Sequence, residues 1–182
     1  MNSSNVVSIN QPQTEKKQRP TQPREWTIAQ ITEALSRRLP EKLLDTKKQG
    51  GATLAFISWY KIPPVLDKYA PGWTWEIRQI NHSSDRVFVM GRLTIPTVNG
   101  DVWREATGTE LLKEEKPIYI DHPEGELNQK GEVKKIPLCD ELGRIVTESK
   151  EVAYGDPSSN AEGMAFRRAA AKFGLGLYLY EK

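Results

Sequence analysis

Apolar positions recur along this chain with two different spacings, and the change of spacing marks a change of element. Ile28, Ile31, Leu35 and Leu39 lie three or four residues apart, the spacing of one helix face. Thr27 and Gln30 make a capping box ahead of that run, and Pro40 ends it. Glu41–Asp45 reads as one further turn. Thr46-Lys47-Lys48-Gln49-Gly50-Gly51 reads as a flexible basic loop whose glycines let backbone amides approach a ligand. Thr53–Trp59 reads as a short strand, and Pro63-Pro64 suit the first turn of a helix that runs through Tyr69.

From Trp73 the pattern becomes strict alternation. Trp73–Ile80, Arg86–Ile95 and Val102–Thr109 each alternate, and Asn99-Gly100 is a hairpin signal between the last two. The pattern predicts an antiparallel meander with one core face and one polar face, the latter with Glu76, Arg78, Arg92 and Arg104 as candidates. Trp73, Trp75, Phe88 and Trp103 are read as core residues rather than as base-stacking platforms. The fold class is α+β: a three-stranded antiparallel β-meander packed against helices, with a C-terminal amphipathic basic helix.

That last helix is predicted over about residues 160–173. Ser159 and Glu162 have the spacing of a capping box, and Gly174 suits a left-handed C-terminal residue. At ~100° per residue, Phe166 and Phe173 fall within about 20° of each other, flanked by Ala165, Ala169 and Ala170. Arg168 and Lys172 project from the opposite side, with Arg167 on their edge. No acidic residue occurs between Gly163 and Leu179. Three cations without counter-charges make a site for a polyanion; the plain alternative is a solvated basic face.

Composition adds boundaries. The 182 residues are 37% hydrophobic, enough for one domain, read here as residues 25–182. Residues 1–24, rich in Asn, Ser, Gln, Pro and Lys, are read as a flexible polar arm. The net charge is only +2, but it is unevenly spread. Residues 1–61 carry ten Lys/Arg against five Asp/Glu, and residues 105–151 carry seven against twelve. Residues 111–153 read as an acidic insertion, a long loop with a peripheral hairpin in which Ile145-Val146 and Val152-Ala153 form minor strands. One cysteine, Cys139, permits no internal disulfide and fits a reducing compartment. No apolar run spans a membrane and no signal peptide is apparent, so a cytoplasmic, nucleoid-associated protein is expected. His82, His122 and Cys139 lack metal-ligand spacing, and no phosphate loop, nucleophile elbow or dinucleotide fingerprint occurs. The expectation is a protein that is not an enzyme and holds no cofactor or metal.

Three stretches carry a family resemblance. They are Leu35–Pro40 running through Gly50-Gly51 to Phe56-Ile57, then Tyr69-Ala70-Pro71-Gly72-Trp73, and Ala161-Glu162 through Arg167-Arg168-Ala169 to Phe173-Gly174-Leu175-Gly176 and Tyr178-Leu179-Tyr180. Together they resemble the Rad-fifty-two superfamily of single-strand annealing proteins, and the Tyr-Leu-Tyr ending is similar to bacterial and phage members such as the DdrA-like end-protection proteins. The resemblance covers roughly residues 26–110 and 154–182. It implies single-stranded DNA as partner, a homo-oligomeric ring with a basic groove, no membrane, and a role in recombination and double-strand-break repair. Single-strand binding protein and other recombination proteins are further candidate partners. Two alternatives stay open: protection of DNA 3′ ends without annealing, and a non-DNA module whose basic helix binds an acidic protein.

Carried over by position, the resemblance puts the inner-groove pair on Arg167 and Arg168. The family's third groove cation falls on Ala171, with Lys172 beside it. Its arginine before the Gly-rich loop falls near Thr46, with Lys47 and Lys48 available. Phe56 and Lys61 take the aromatic and basic positions beyond that loop. An outer site would draw on Arg86, with Arg92 on the same strand. The tail Tyr178-Leu179-Tyr180 is the candidate subunit contact.

Overall fold

The structure is a computed structural model that describes residues 18–152 and 156–181. Residues 1–17 of the expected arm and the link 153–155 lie outside the described residues. In chain order the elements are α1 (Ile28–Leu35), β1 (Leu44–Gln49), β2 (Ala52–Ile57), α2 (Pro63–Tyr69), β3 (Thr74–His82), β4 (Arg86–Thr97), β5 (Gly100–Leu111), β6 (Lys113–Pro117), β7 (Tyr119–Asp121), β8 (Lys135–Pro137), β9 (Thr147–Glu151) and α3 (Pro157–Ala171).

The alternation between residues 73 and 111 yields the antiparallel sheet β3-β4-β5. Its inner face carries Val87, Val89, Leu93 and Ile95, all buried. A bulge at Arg78 shifts the β3–β4 register, so Ile77 faces Gly91 but Gln79 faces Met90. Helix α3 crosses this face and buries Ala161, Ala165, Phe166, Ala169 and Ala170 against it. The contact reaches backbone level: a Cβ built on Gly108 of β5 would collide with the Ala161 carbonyl and the Ala165 amide. Phe166 then slots between Trp73 and Trp75, at centroid distances of 5.6 and 5.0 Å. The Trp75 ring covers Gly91, which has no side chain to oppose it. Helices α1 and α2 close the core through Ile31, Leu35 and Leu66, joined by Ile62, Phe173 and Leu175. The expected meander, its helices and the α+β class are all present.

Several expectations are revised. The capping box at Thr27 and Gln30 forms as read. That at Ser159 and Glu162 does not. Helix α3 starts three residues earlier than the expected start at Asn160, with Asp156 as N-cap and Pro157 in its first turn. Asp156 accepts hydrogen bonds from the amides of Ser158 and Ser159. Glu162 instead accepts from Trp75 Nε1 at 2.9 Å, so tertiary packing claims the side chain that the cap would need. Gly174 is left-handed, with φ 99°. The basic loop at Thr46–Gly51 is the end of a β-hairpin, β1 pairing with β2 from Leu44↔Ile57 to Gln49↔Ala52. Gly50 and Gly51, at φ 57° and 79°, supply the two left-handed residues of its tight turn.

Residues 18–24 of the expected arm lie on the domain: Pro20 is buried, Pro23 packs under Gly72, and Arg24 pairs with Asp101 at 2.7 Å. The aromatics divide, with Trp73 and Trp75 in the core and Phe88 and Trp103 42% and 49% exposed on the outer face. Arg104 opposes Leu93 and so belongs to the inner face, not the polar one.

Residues 113–151, expected as a long loop with a peripheral hairpin, form a branched ribbon of several hairpin pairings. β6 and β9 are its stem, β7 and β8 one arm, and the Cys139↔Ile145 bridge a second arm. Three backbone bonds close the junction: Ile118 N–H to Val146 O, Val146 N–H to Leu138 O, and Leu138 N–H to Ile118 O. Ile145-Val146, expected as a strand, forms that junction, and the returning strand is Thr147–Glu151.

Gly108→Ala is expected to force α3 off the sheet and destabilise the protein by on the order of 3 kcal/mol, read as a loss in denaturant midpoint with an unchanged slope. Asp156 gives a pH signature. Hydrogen bonds from the Ser159 and Ser158 hydroxyls, followed by the Ser159 amide, lower its pKa from 3.8 to about 2. The folded value lies below the unfolded one, so the stabilisation is complete above 3.8 and is lost as the pH falls through about 2. Asp156→Ala should therefore lower the melting temperature at neutral pH, and the gap from wild type should close over that acid range.

Candidate nucleic-acid interface

The β1–β2 hairpin stands beside α3, and the space between them is a groove of about 540 Å³. Cross-strand pairing of Lys47 with Leu54 and of Asp45 with Phe56 sets these four side chains on one hairpin face. Lys47 and Phe56 line the groove from that face, and Met164, Arg167 and Arg168 line it from the helix. The Arg167 guanidinium lies over the Phe56 ring, 5.7 Å from its centroid. The ring holds the cation in place without neutralising its charge. Tyr180 borders the same groove. The rest of the aromatic tail is used internally, because Tyr178 Oη accepts from the Leu39 amide at 3.0 Å and its ring carries Arg38.

Two carboxylates approach this region: Glu181 lines the groove itself, and Asp45, opposite Phe56, is already engaged. Asp45 accepts from Lys61 Nζ at 2.7 Å and from Ser58 Oγ at 2.6 Å. The Lys61 ammonium first, then the Ser58 hydroxyl, holds the Asp45 carboxyl below the ordinary carboxylate range. Lys61 therefore cancels an acid next to Phe56. Lys48, next to Lys47 in an extended strand, projects from the other face of the hairpin.

The other two helix cations serve the sheet edge. Arg168 Nη1 donates to the Thr107 carbonyl at 2.8 Å, and Lys172 Nζ donates to the Glu105 carbonyl at 2.6 Å. Ala171 is buried, so its position faces the interior. Lys172 continues the row of Arg168 one turn on and does not occupy the place of Ala171. Among the described residues, none of Lys47, Arg167, Arg168 and Lys172 forms an ion pair.

The outer-site residues have a different setting. Arg86 opens β4 opposite Leu111. Arg92 lies in mid-sheet on the outer face, paired with Glu105 at 2.7 Å and with Glu76 at 3.8 Å, and its guanidinium stacks 4.5 Å from the Trp103 centroid. Its charge is balanced by two carboxylates. The structure thus brings together Lys47, Phe56, Arg167 and Arg168, and does not bring Arg86, Arg92 or Lys48 to the same groove. Sequence reasoning missed Arg104, whose guanidinium rests over Phe173 beside Lys172. The signal was its place two residues after Val102, on the core-facing parity of β5. Among the described residues, no group of three or more His, Cys, Asp or Glu side chains could hold a metal ion, and no helix is long and apolar enough to cross a membrane.

No family model matches the chain. Over 157 residues it is 28% identical to DNA repair RAD52-like protein 1, mitochondrial, of Arabidopsis thaliana, covering 85% of this chain and 68% of the relative. Over 159 residues it is 32% identical to DNA repair RAD52-like protein 2, chloroplastic, of the same plant, covering 85% of this chain and 61% of that relative. Both matches extend well beyond the stretches that carry the resemblance. Over most of its length the chain is therefore similar to two RAD52-like DNA repair proteins.

Proposed function

We propose that this protein acts in DNA repair and recombination by holding single-stranded DNA through its phosphates and pairing it with a complementary strand. The observation that carries the reading is the groove between hairpin and helix, where Arg167 is fixed over Phe56 beside Lys47 and Arg168 while the neighbouring carboxylate of Asp45 is neutralised. Annealing requires a strand to be held without regard to sequence. Contacts to phosphates meet that need, because they position a strand and carry no base code. One domain offers only a few such cations, each contributing weakly at physiological salt, so assembly into a homo-oligomer that multiplies them along one strand belongs to the proposal. The site contains no nucleophile or metal centre in this reading: it is a binding surface rather than a catalytic one. The Tyr-Leu-Tyr tail is the basis for a DdrA-like variant of the same reading, in which ends are held without pairing.

A salt series of binding to a labelled oligothymidine, with a duplex control, tests the groove. Wild type should prefer the single strand. The double variant Arg167→Ala/Arg168→Ala should bind more weakly, with the salt slope reduced by about 1.4 at ~0.7 per lost phosphate contact. An unchanged affinity and slope would remove the assigned groove. Fluorescence quenching on pairing of complementary strands separates annealing from end holding: binding without accelerated pairing would favour the latter.

A further inference from the structure

The free edge of β5 carries a regularity that the groove does not explain. Strand β5 pairs with β4 on one side and has no strand on the other among the described residues. Pairing starts at Thr97↔Gly100 across a two-residue turn and runs unbroken to Arg86↔Leu111. Closing pairs of such turns are hydrogen-bonded, so even-numbered residues of β5 bond to β4 and the carbonyls of odd-numbered ones point outward. Three successive outward carbonyls, Thr107, Glu105 and Trp103, each accept from a cation. Arg168 Nη1 donates to the first at 2.8 Å, Lys172 Nζ to the second at 2.6 Å, and Arg104 Nη1 to the third at 2.8 Å.

The spacing has a simple origin. Helix α3 runs antiparallel to β5, and four helix residues advance about 6 Å while two strand residues advance about 6.8 Å. Arg168 and Lys172 therefore reach alternate carbonyls. The helix ends at Ala171, and the third cation comes from β5 itself. Arg104 is held by Phe173, whose ring centroid is 5.3 Å from its guanidinium. The nearby acids are occupied elsewhere: Asp101 by Arg24 at 2.7 Å and Glu105 by Arg92 at 2.7 Å. Neutral carbonyls orient the three cations but leave their formal charge uncompensated. A phosphate oxygen would replace each carbonyl with a charge-assisted bond.

We propose that Arg104, with Lys172 and Arg168, forms a ladder of phosphate-binding cations along the free edge of β5, extending the single-strand path from the Arg167 groove across the helix to this edge. The proposal rests on the single-strand-binding reading above and adds to it a residue, Arg104, and a direction for the strand. The edge carbonyls are the resting ligands of the ladder, released as phosphates engage.

The test uses the full chain with Arg104→Met, which keeps an apolar stem over Phe173 and removes the charge, and Arg104→Lys, which keeps the charge. Oligothymidine binding is measured across a sodium chloride series, and mass in solution by light scattering. The expected result for Arg104→Met is several-fold weaker binding and a salt slope lower by about 0.7, with Arg104→Lys retaining the wild-type slope. If Arg104→Met keeps the wild-type slope while Arg167→Ala loses part of it, the ladder is overturned and the groove stands. If neither variant changes the slope, the single-strand reading itself fails. New self-association of Arg104→Met with unchanged DNA binding would also overturn the ladder, showing that the cations only shield the strand edge from pairing.

Discussion

The structure depends on how closely the backbone of α3 approaches β5. Gly108 has no side chain, and Ala161 and Ala165 offer only methyl groups, so helix and strand meet nearly at backbone level. Any side chain on Gly108 would lift the helix. From this one contact the placement of the remaining helix residues follows. Phe166 is pressed between Trp73 and Trp75, Phe173 falls under Arg104, Arg167 turns toward the hairpin, and Arg168 and Lys172 reach over the strand edge. Small residues here do not weaken the helix by leaving space; they create the proximity through which larger ones pack.

The second organising feature is how charge is cancelled and where it is not. Asp45 is neutralised by Lys61, Asp101 by Arg24, and Glu105 and Glu76 by Arg92 together with Arg78. As exposed or half-exposed pairs they contribute little to stability. Their consequence is electrostatic: Asp45 beside the groove, and Asp101 and Glu105 beside the β5 edge, are paired with cations other than Lys47, Arg167, Arg168, Lys172 and Arg104, while Glu181 is the acid that lines the groove itself. A chain with a net charge of only +2 can therefore present a cationic surface along α3. The branched ribbon from Lys113 to Glu151 leaves the sheet at the end of β5, and its ion pairs are internal to it, as in Lys134 with Glu126 and Arg144 with Asp140.

Much of this was legible in the residues. Alternation and the Asn99-Gly100 signal placed the meander within a few residues, because in a sheet with one buried face the period of two is imposed by burial. The Thr27–Gln30 cap was legible because it is a local bond between neighbours. The Ser159–Glu162 cap was misread for the opposite reason: Glu162 finds the Trp75 indole, far away in the chain, and Asp156 takes over the helix start. Of the β1–β2 hairpin only the second strand was read from the sequence; β1 was missed because it is short and mostly polar, so no apolar period shows in it. The ribbon was missed because its three-way junction uses backbone bonds, which leave no side-chain signature.

The candidate site divides along the same line. Helical spacing alone shows Arg167, Arg168 and Lys172 within Gly163–Leu179, a stretch that holds no acid, and two phenylalanines on the opposite face. What each cation meets follows from tertiary packing. Arg167 meets an aromatic ring, Arg168 and Lys172 meet strand carbonyls, Lys61 meets a carboxylate, and Arg104, read as a polar-face residue, joins the helix cations from the inner face of β5. Spacing fixes direction within one element, but a charge acquires its role from the neighbour that another element brings to it, and that neighbour is set by packing.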